Sequence, residues 1–120
     1  MSPVIDKHAF GWIQIDGDKY KNDVVIELDG VIRKRRKKLS KQEYGTSHKI
    51  SLAEARDVYQ EGMEELLIGS GMFDSVRLSD EAETFFIERG VNVTILPTGK
   101  AVQHWNALEK RITGLFHITC

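Results

Sequence analysis

At 120 residues, 41% apolar and 29% charged, the chain has the length and composition of one globular domain, 1–120. No apolar run approaches the ~18–20 residues of a membrane span, and the first residues, Met1 to Lys7, lack the apolar core of a signal peptide, so a membrane role is excluded and a cytoplasmic protein is expected. The single cysteine, Cys120, excludes an internal disulfide and a Cys-rich metal centre, and the net charge of −1 conceals a division: residues 33–41 hold seven of the 17 Lys and Arg and no acid, which leaves ten basic and 18 acidic groups elsewhere.

In chain order, Phe10 to Asp16 alternates as a strand, with Trp12 and Gln14 on one side and Ile13 and Ile15 on the other. Asp16-Gly17 supplies a tight hairpin turn, and Tyr20 to Leu28, with Val24-Val25-Ile26, reads as the return strand. Asp29-Gly30 is a second hairpin signal before Val31-Ile32. The first third is therefore expected to be a three-stranded antiparallel meander whose last strand runs out at an edge as it becomes charged. Lys37 to Ile50 reads as a polar loop. Ser51 and Glu54 form a capping-box pattern before a helical stripe of Leu52, Ala55, Val58 and Tyr59, which Gly62 closes. Glu65 to Ile68 is a buried strand, and Met72 to Leu78 holds one short strand. Ser79 caps a helix with Ala82, Phe85 and Phe86 inward, ended by Gly90. Val91 to Leu96 is a strand, Thr98 caps a helix with Ala101, Val102, Trp105 and Leu108 inward, and Ile112 to Ile118 is the closing strand. The order predicts a three-layer α/β domain: a mixed, mostly parallel central sheet covered by helices, with a flanking N-terminal antiparallel β-meander.

The chain is organised around Gly69-Ser70-Gly71-Met72, which breaks the buried strand. The crevice beyond the carboxyl ends of parallel strands is where ligands gather, and glycine lets backbone N–H groups approach an anion. Gly69, Ser70, Gly71 and Met72, with Thr46, Ser47 and His48 of the polar loop, are the candidate binding residues for a small anion. The bland reading is a tight turn beside closely packed backbone, with Thr46–His48 making loop hydrogen bonds. G-x-G-x-x-G is incomplete, since position 74 is Asp, so no dinucleotide cofactor is expected. His117 and Cys120 can pair only if the chain end curls, because residues three apart on a strand point to opposite faces; a carboxy-terminal carboxylate would also oppose thiolate formation. His8, His48, His104 and His117 have no metal-ligand spacing, and no metal centre is expected.

Arg33, Lys34, Arg35, Arg36, Lys37 and Lys38 form a candidate partner-binding row. If extended, Arg33, Arg35 and Lys37 share one face and Lys34, Arg36 and Lys38 the other. Such a row can hold phosphates or an acidic protein surface, or simply guard an edge strand against aggregation. The pI of 6.4 and the lack of interleaved aromatic residues argue against nucleic acid. Trp12, on the meander, is a candidate interface anchor.

Phe10-Gly11, Asp29-Gly30, Gly45-Thr46-Ser47-His48, Ile68-Gly69-Ser70-Gly71, Leu96-Pro97-Thr98, Ala101-Val102, Asn106 and His117-Ile118-Thr119-Cys120, in that order, resemble the small uncharacterised α/β proteins related to the animal adipogenesis-associated protein and to a mitochondrial respiratory complex I assembly factor. Gly45-Thr46-Ser47-His48 looks most like the archaeal and bacterial members. The resemblance covers about residues 8 to 120. It implies a three-layer α/β domain, no established catalytic residues, and action through partner proteins. The basic run is stronger here than in the animal members, and the connection after Asn106 is shorter.

The preferred reading is a non-catalytic interaction or small-ligand-binding module, assembly-factor-like, with a protein partner or a second copy of itself as a homodimer. The alternatives are a small hydrolase or transferase using the Gly69–Gly71 crevice with Ser47 and His48 or Cys120, and phosphate-backbone binding of nucleic acid through residues 33–41.

Overall fold

Tight turns cut the first third of the chain into five short strands in the computed structural model, which describes residues 2–120. β1 (Ile5–Ala9), β2 (Trp12–Ile15) and β3 (Asp18–Tyr20) form an antiparallel sheet in the order β1-β2-β3. Asp16 and Gly17, at φ 48° and 87°, turn the chain between β2 and β3, the conformation an Asp-Gly hairpin requires. The expected alternation holds on β2: Ile13 and Ile15 are fully buried, while Trp12 and Gln14 lie half-buried on the other side.

The meander sits one strand earlier than the sequence predicts. The expected return strand divides: Tyr20 ends β3, the chain turns at residues 21–23, and β4 (Val24–Ile26) enters the central sheet with β5 (Ile32–Lys34) beside it. All three β4 residues are buried, which demands cover on both faces. β1 escapes a reading by pattern because Asp6 and Lys7 interrupt its apolar residues.

The remaining elements are α1 (Lys38–Tyr44), β6 (Lys49–Ile50), α2 (Leu52–Val58), β7 (Glu65–Ser70), β8 (Arg77–Leu78), α3 (Asp80–Glu88), β9 (Asn92–Leu96), α4 (Thr98–Ala107) and β10 (Thr113–His117). The central sheet runs β5-β4-β10-β7-β9, with β10, β7 and β9 mutually parallel and β4 and β5 antiparallel to their neighbours. β6 and β8 pair in parallel as a separate ribbon. Alternation along the strands loads both faces. Val25, Leu66, Ile68 and Leu115 pack with Ala55 and Val58 of α2 and Ala82, Phe85 and Phe86 of α3. Val24, Ile26, Leu67 and Phe116 pack with Ala101, Val102 and Trp105 of α4 and with Ile5, Ile13 and Ile15 of the meander. Among the described residues no helix is long and apolar enough to cross a membrane.

Three local expectations are corrected. The polar loop contains α1, closed by Gly45 at φ 72° with its N–H on the Lys41 carbonyl. α2 ends at Tyr59 rather than Gly62, which serves the following turn. Pro97, not Thr98, is the N-cap of α4; the Thr98 hydroxyl instead donates to the His117 carbonyl at 2.6 Å and accepts the Gly71 N–H at 2.9 Å.

Candidate functional site

Strand register assembles a polar row across one end of the central sheet. Phe116 pairs with Val24 and Val24 with Lys34, so the next residues outward, His117, Asp23 and Arg35, fall level with one another. His117 also pairs with Ser70 of β7. The Asp23 carboxylate lies 2.7 Å from His117 Nδ1 and accepts the Ile118 N–H at 3.0 Å and Arg35 Nη1 at 3.0 Å. Arg35 reaches on to Glu54 of α2, donating Nε at 2.7 Å and Nη2 at 3.0 Å, and gives a further bond to the Ser47 carbonyl at 2.7 Å. Ser40 of α1 donates to the same Glu54 carboxylate at 2.5 Å. Arg35, Asp23, Glu54 and His117 are all buried.

The expectation that Arg35 belongs to an exposed basic row is therefore corrected. The chain does alternate there, but one of its faces points inward. Arg33 also turns in and binds Glu27 and Asp57. Lys34, Arg36 and Lys38 remain exposed, with Arg36 paired to Asp57. Residues 33–39 and Gln42 line a groove of about 560 Å³ beside the edge strand β5. Basic side chains of this kind offer alkyl stems as well as charged heads to such a surface, and Lys34, Arg36 and Lys38 are the exposed ones. Trp12 belongs to the separate meander, where Lys19 Nζ sits 4.3 Å from its ring centroid.

Glu54 was legible only as the acid of a capping box. Ser51 does accept the Glu54 N–H at 3.1 Å, but the return bond to the Ser51 N–H comes from Ser40 Oγ at 3.0 Å, and the Glu54 carboxylate is diverted to Arg35. A signal existed: Glu54 adjoins Ala55 and stands one turn before Val58, so it lies on the helix's apolar face.

The N–H groups of the glycine break are taken up within the chain. β7 continues through Ser70, and the turn follows at Gly71. The Gly71 N–H is held by Thr98, Met72 N–H donates to the Thr119 carbonyl at 2.8 Å and Phe73 N–H to the Cys120 carbonyl at 3.2 Å. Ser70 Oγ donates to Asp74 at 2.5 Å. A Cβ on Gly71 would lie 2.5 Å from the Cys120 backbone. These donors are committed to Thr98 of α4 and to the segment after β10, and the close approach of Cys120 is the reason for glycine here.

This segment curls, as the pairing of His117 with Cys120 required. Cys120 Sγ lies 3.7 Å from His48 Nε2, and the His48 and His117 rings meet edge to face with centroids 5.3 Å apart. One ligand atom from each of His48, His117 and Cys120 lies within 4.8 Å of the other two. The histidines lack metal-ligand spacing along the chain, yet the fold brings His48 and His117 together. Thr46 Oγ1 accepts the His48 N–H at 3.1 Å, and the His48 carbonyl accepts Arg77 N–H from the β6–β8 ribbon at 2.8 Å, so the loop is anchored on both sides of the imidazole. Ser47 is turned to Arg35 through its carbonyl, while His48 faces the thiol. Thr46, Ser47 and His48 are thus split between supporting the loop, the buried cation and the thiol.

Electrostatics follow the burial. Burial pushes the His48 imidazole down, helped by the charges of His117 and Arg35 against the pull of Asp23, so it is held below its ordinary value of 6.5. Burial also pulls Arg35 down, but Glu54 and Asp23 outweigh it and hold the guanidinium above its usual value. For Asp23, burial opposes ionisation, yet the hydrogen bond and charge of His117, the Ile118 N–H and Arg35 prevail and hold the carboxyl below its ordinary 3.8. A depressed carboxyl contributes stability that is present above the unfolded-state value and is lost as pH falls through the folded one. The urea midpoint should therefore be insensitive to Asp23 above pH 3.8 and drop below it. A midpoint that stays level down to about pH 2 would remove the carboxylate from this role.

The same architecture occurs in solved structures. A conserved hypothetical protein from Pyrococcus horikoshii OT3 superimposes with a TM-score of 0.90 at 33% identity, over 97% of this chain and 98% of that one. The protein MT938 matches at a TM-score of 0.82 and 29% identity, over 99% of this chain and 100% of that one. A Mth938-like domain from Bordetella pertussis shares the fold at a TM-score of 0.65 and 16% identity, over 97% and 85% of the two chains. With residues 5–117 matched, the chain belongs to the DUF498 family, described as a protein of unknown function (DUF498/DUF598).

Proposed function

We propose that the chain is a non-catalytic interaction module that docks an acidic segment of a protein partner along the groove between β5 and α1. The observation that carries this reading is the groove itself, about 560 Å³ and lined by Arg33, Lys34, Arg35, Arg36, Lys37, Lys38, Leu39 and Gln42. Lys34, Arg36 and Lys38 supply the exposed charge, while Arg33 and Arg35 support the wall from inside through their ion pairs. A partner with acidic groups flanking apolar side chains satisfies both parts of such a surface. β5 is also an edge strand, a position that accepts extended segments. The resemblance to the adipogenesis-associated protein and the complex I assembly factor, whose better understood relatives act through partners, points to the same class. The free, half-exposed thiol of Cys120 fits a reducing compartment, and we place the action in the cytoplasm. Trp12 is a second, separate anchor for a partner or for a second copy of the chain.

The test uses fluorescence anisotropy with a labelled Glu/Leu peptide, its Lys/Leu counterpart and a short DNA duplex. The acidic peptide is expected to bind more weakly as salt rises. The triple variant Lys34→Glu, Arg36→Glu, Lys38→Glu should lose at least roughly tenfold, the equivalent of three surface ion pairs at about 0.5 kcal/mol each. Equal binding by the variant would overturn the reading. Tighter binding of the duplex would move it to nucleic acid, and a change in sizing without peptide binding would move it to self-association.

A further inference from the structure

We propose that His48, His117 and Cys120 form a binding site for a zinc-like divalent cation at the carboxyl end of β10. None of its three ligands lines the β5–α1 groove.

The first support is distance. In a tetrahedral zinc centre the metal stands about 2.0–2.1 Å from imidazole nitrogen and about 2.3 Å from thiolate sulfur, which sets neighbouring ligand atoms roughly 3.3–3.6 Å apart. The three ligand atoms here already lie within 4.8 Å of one another, and His48 Nε2 to Cys120 Sγ is 3.7 Å. A small contraction closes the set. The three ligands come from different parts of the chain, yet each is fixed locally. His48 is held by Thr46 and the β6–β8 ribbon, His117 by the strand register, and Cys120 by its carbonyl on Phe73 N–H.

The second support is orientation. Asp23 engages His117 Nδ1 at 2.7 Å, so the outward nitrogen, Nε2, is the one available to a metal. A carboxylate on the far nitrogen fixes the ring and raises its basicity, the outer-shell arrangement that accompanies histidine ligands in metal sites. Thr119 Oγ1, 3.3 Å from the same Nε2, gives up that contact and becomes a hydrogen-bond partner for a water in the fourth position.

The third support is charge. Asp23 and Glu54 are two buried carboxylates facing one buried guanidinium, Arg35. Two carboxylates against one guanidinium leave this end of the sheet richer in acidic than in basic groups beside the three ligand atoms. Unbalanced buried charge is costly, and a divalent cation beside the carboxylates reduces it. The donor set of two imidazoles and one thiolate selects a borderline-soft ion over magnesium or calcium. Binding displaces the thiol proton to solvent, so uptake is favoured as pH rises. His48 and Cys120 are only half-buried, which leaves a path for the ion.

The test uses the full chain, reduced and stripped with a chelator, then titrated with Co²⁺ and challenged with Zn²⁺. The expected result is uptake of one equivalent with a thiolate-to-cobalt charge-transfer band and the strong visible absorption of a four-coordinate site, both abolished by Zn²⁺. Cys120→Ser should erase the charge-transfer band. His48→Gln should weaken Zn²⁺ binding by at least about tenfold, the lower bound for losing even an outer-shell partner, while exposed His104→Gln should leave it unchanged. Uptake without a thiolate band, or no uptake under a large molar excess, would overturn the site and leave a hydrogen-bonded cluster. The wild-type spectrum decides this by itself, so the outcome does not depend on how well any variant folds.

Discussion

Replacing Arg35 with Met should destabilise the fold by about 3–5 kcal/mol, because it removes one member of a buried charge cluster and leaves the rest uncompensated. The guanidinium makes four hydrogen bonds, to both Glu54 oxygens, to Asp23 and to the Ser47 carbonyl, and its side chain is fully buried. Methionine fills similar volume but satisfies none of them, so the expected loss is electrostatic rather than a cavity. Against a domain stability of about 5–15 kcal/mol, this is enough to unfold a substantial share of a marginal protein. Adding Glu54→Met should recover part of the loss, since an apolar pair then replaces the buried ion pair and Asp23 keeps His117 and the Ile118 N–H. Urea unfolding of both variants, with Lys38→Met as the exposed control, measures it. A shift in Arg35→Met no larger than the control's would show that the cluster contributes nothing to stability.

Gly71→Ala should produce the second large effect. Gly71 sits at φ 100°, where a side chain alone costs about 1–3 kcal/mol of backbone strain. The added methyl would also lie 2.5 Å from the Cys120 carbonyl carbon and oxygen and 2.8 Å from His117 Cδ2. Backbone on one side and a buried imidazole on the other cannot yield as a flexible side chain would. Residues 119 and 120 are therefore expected to leave the turn. Hydrogen exchange at the Met72 and Phe73 amides, which donate to the Thr119 and Cys120 carbonyls, should speed up more than exchange in β7. Unchanged protection of both amides would mean that the turn tolerates the methyl.

These two residues also mark what can be read from sequence. α3 and β10 follow from local pattern, because Ala82, Phe85 and Phe86 recur at helical spacing and residues 112–118 carry no Asp, Glu, Lys or Arg and include Ile112, Leu115, Phe116 and Ile118. Arg35 does not, since a run of seven cations looks uniformly solvated until its partners are known, and those partners lie 12 and 19 residues away. α1 was hidden for a related reason. Its single buried residue is Ser40, which is inward to bond Glu54 and not to fill a core. Gly71 was conspicuous, but glycine for a ligand and glycine for a neighbouring backbone leave the same mark. His117 and Cys120 were visible as a pair; that His48 joins them depends on the β6–β8 ribbon, two residues per strand, too short to carry a periodic signal.

The position of β10 has a consequence for synthesis. It lies in the middle of the five-stranded sheet, between β4 and β7, although it follows every other strand along the chain. Until residues 113–117 emerge from the ribosome, β4 and β7 each present an open ladder and an apolar face to solvent, a state that invites intermolecular pairing. The strand order thus requires one late insertion, between two strands already made, to close the sheet.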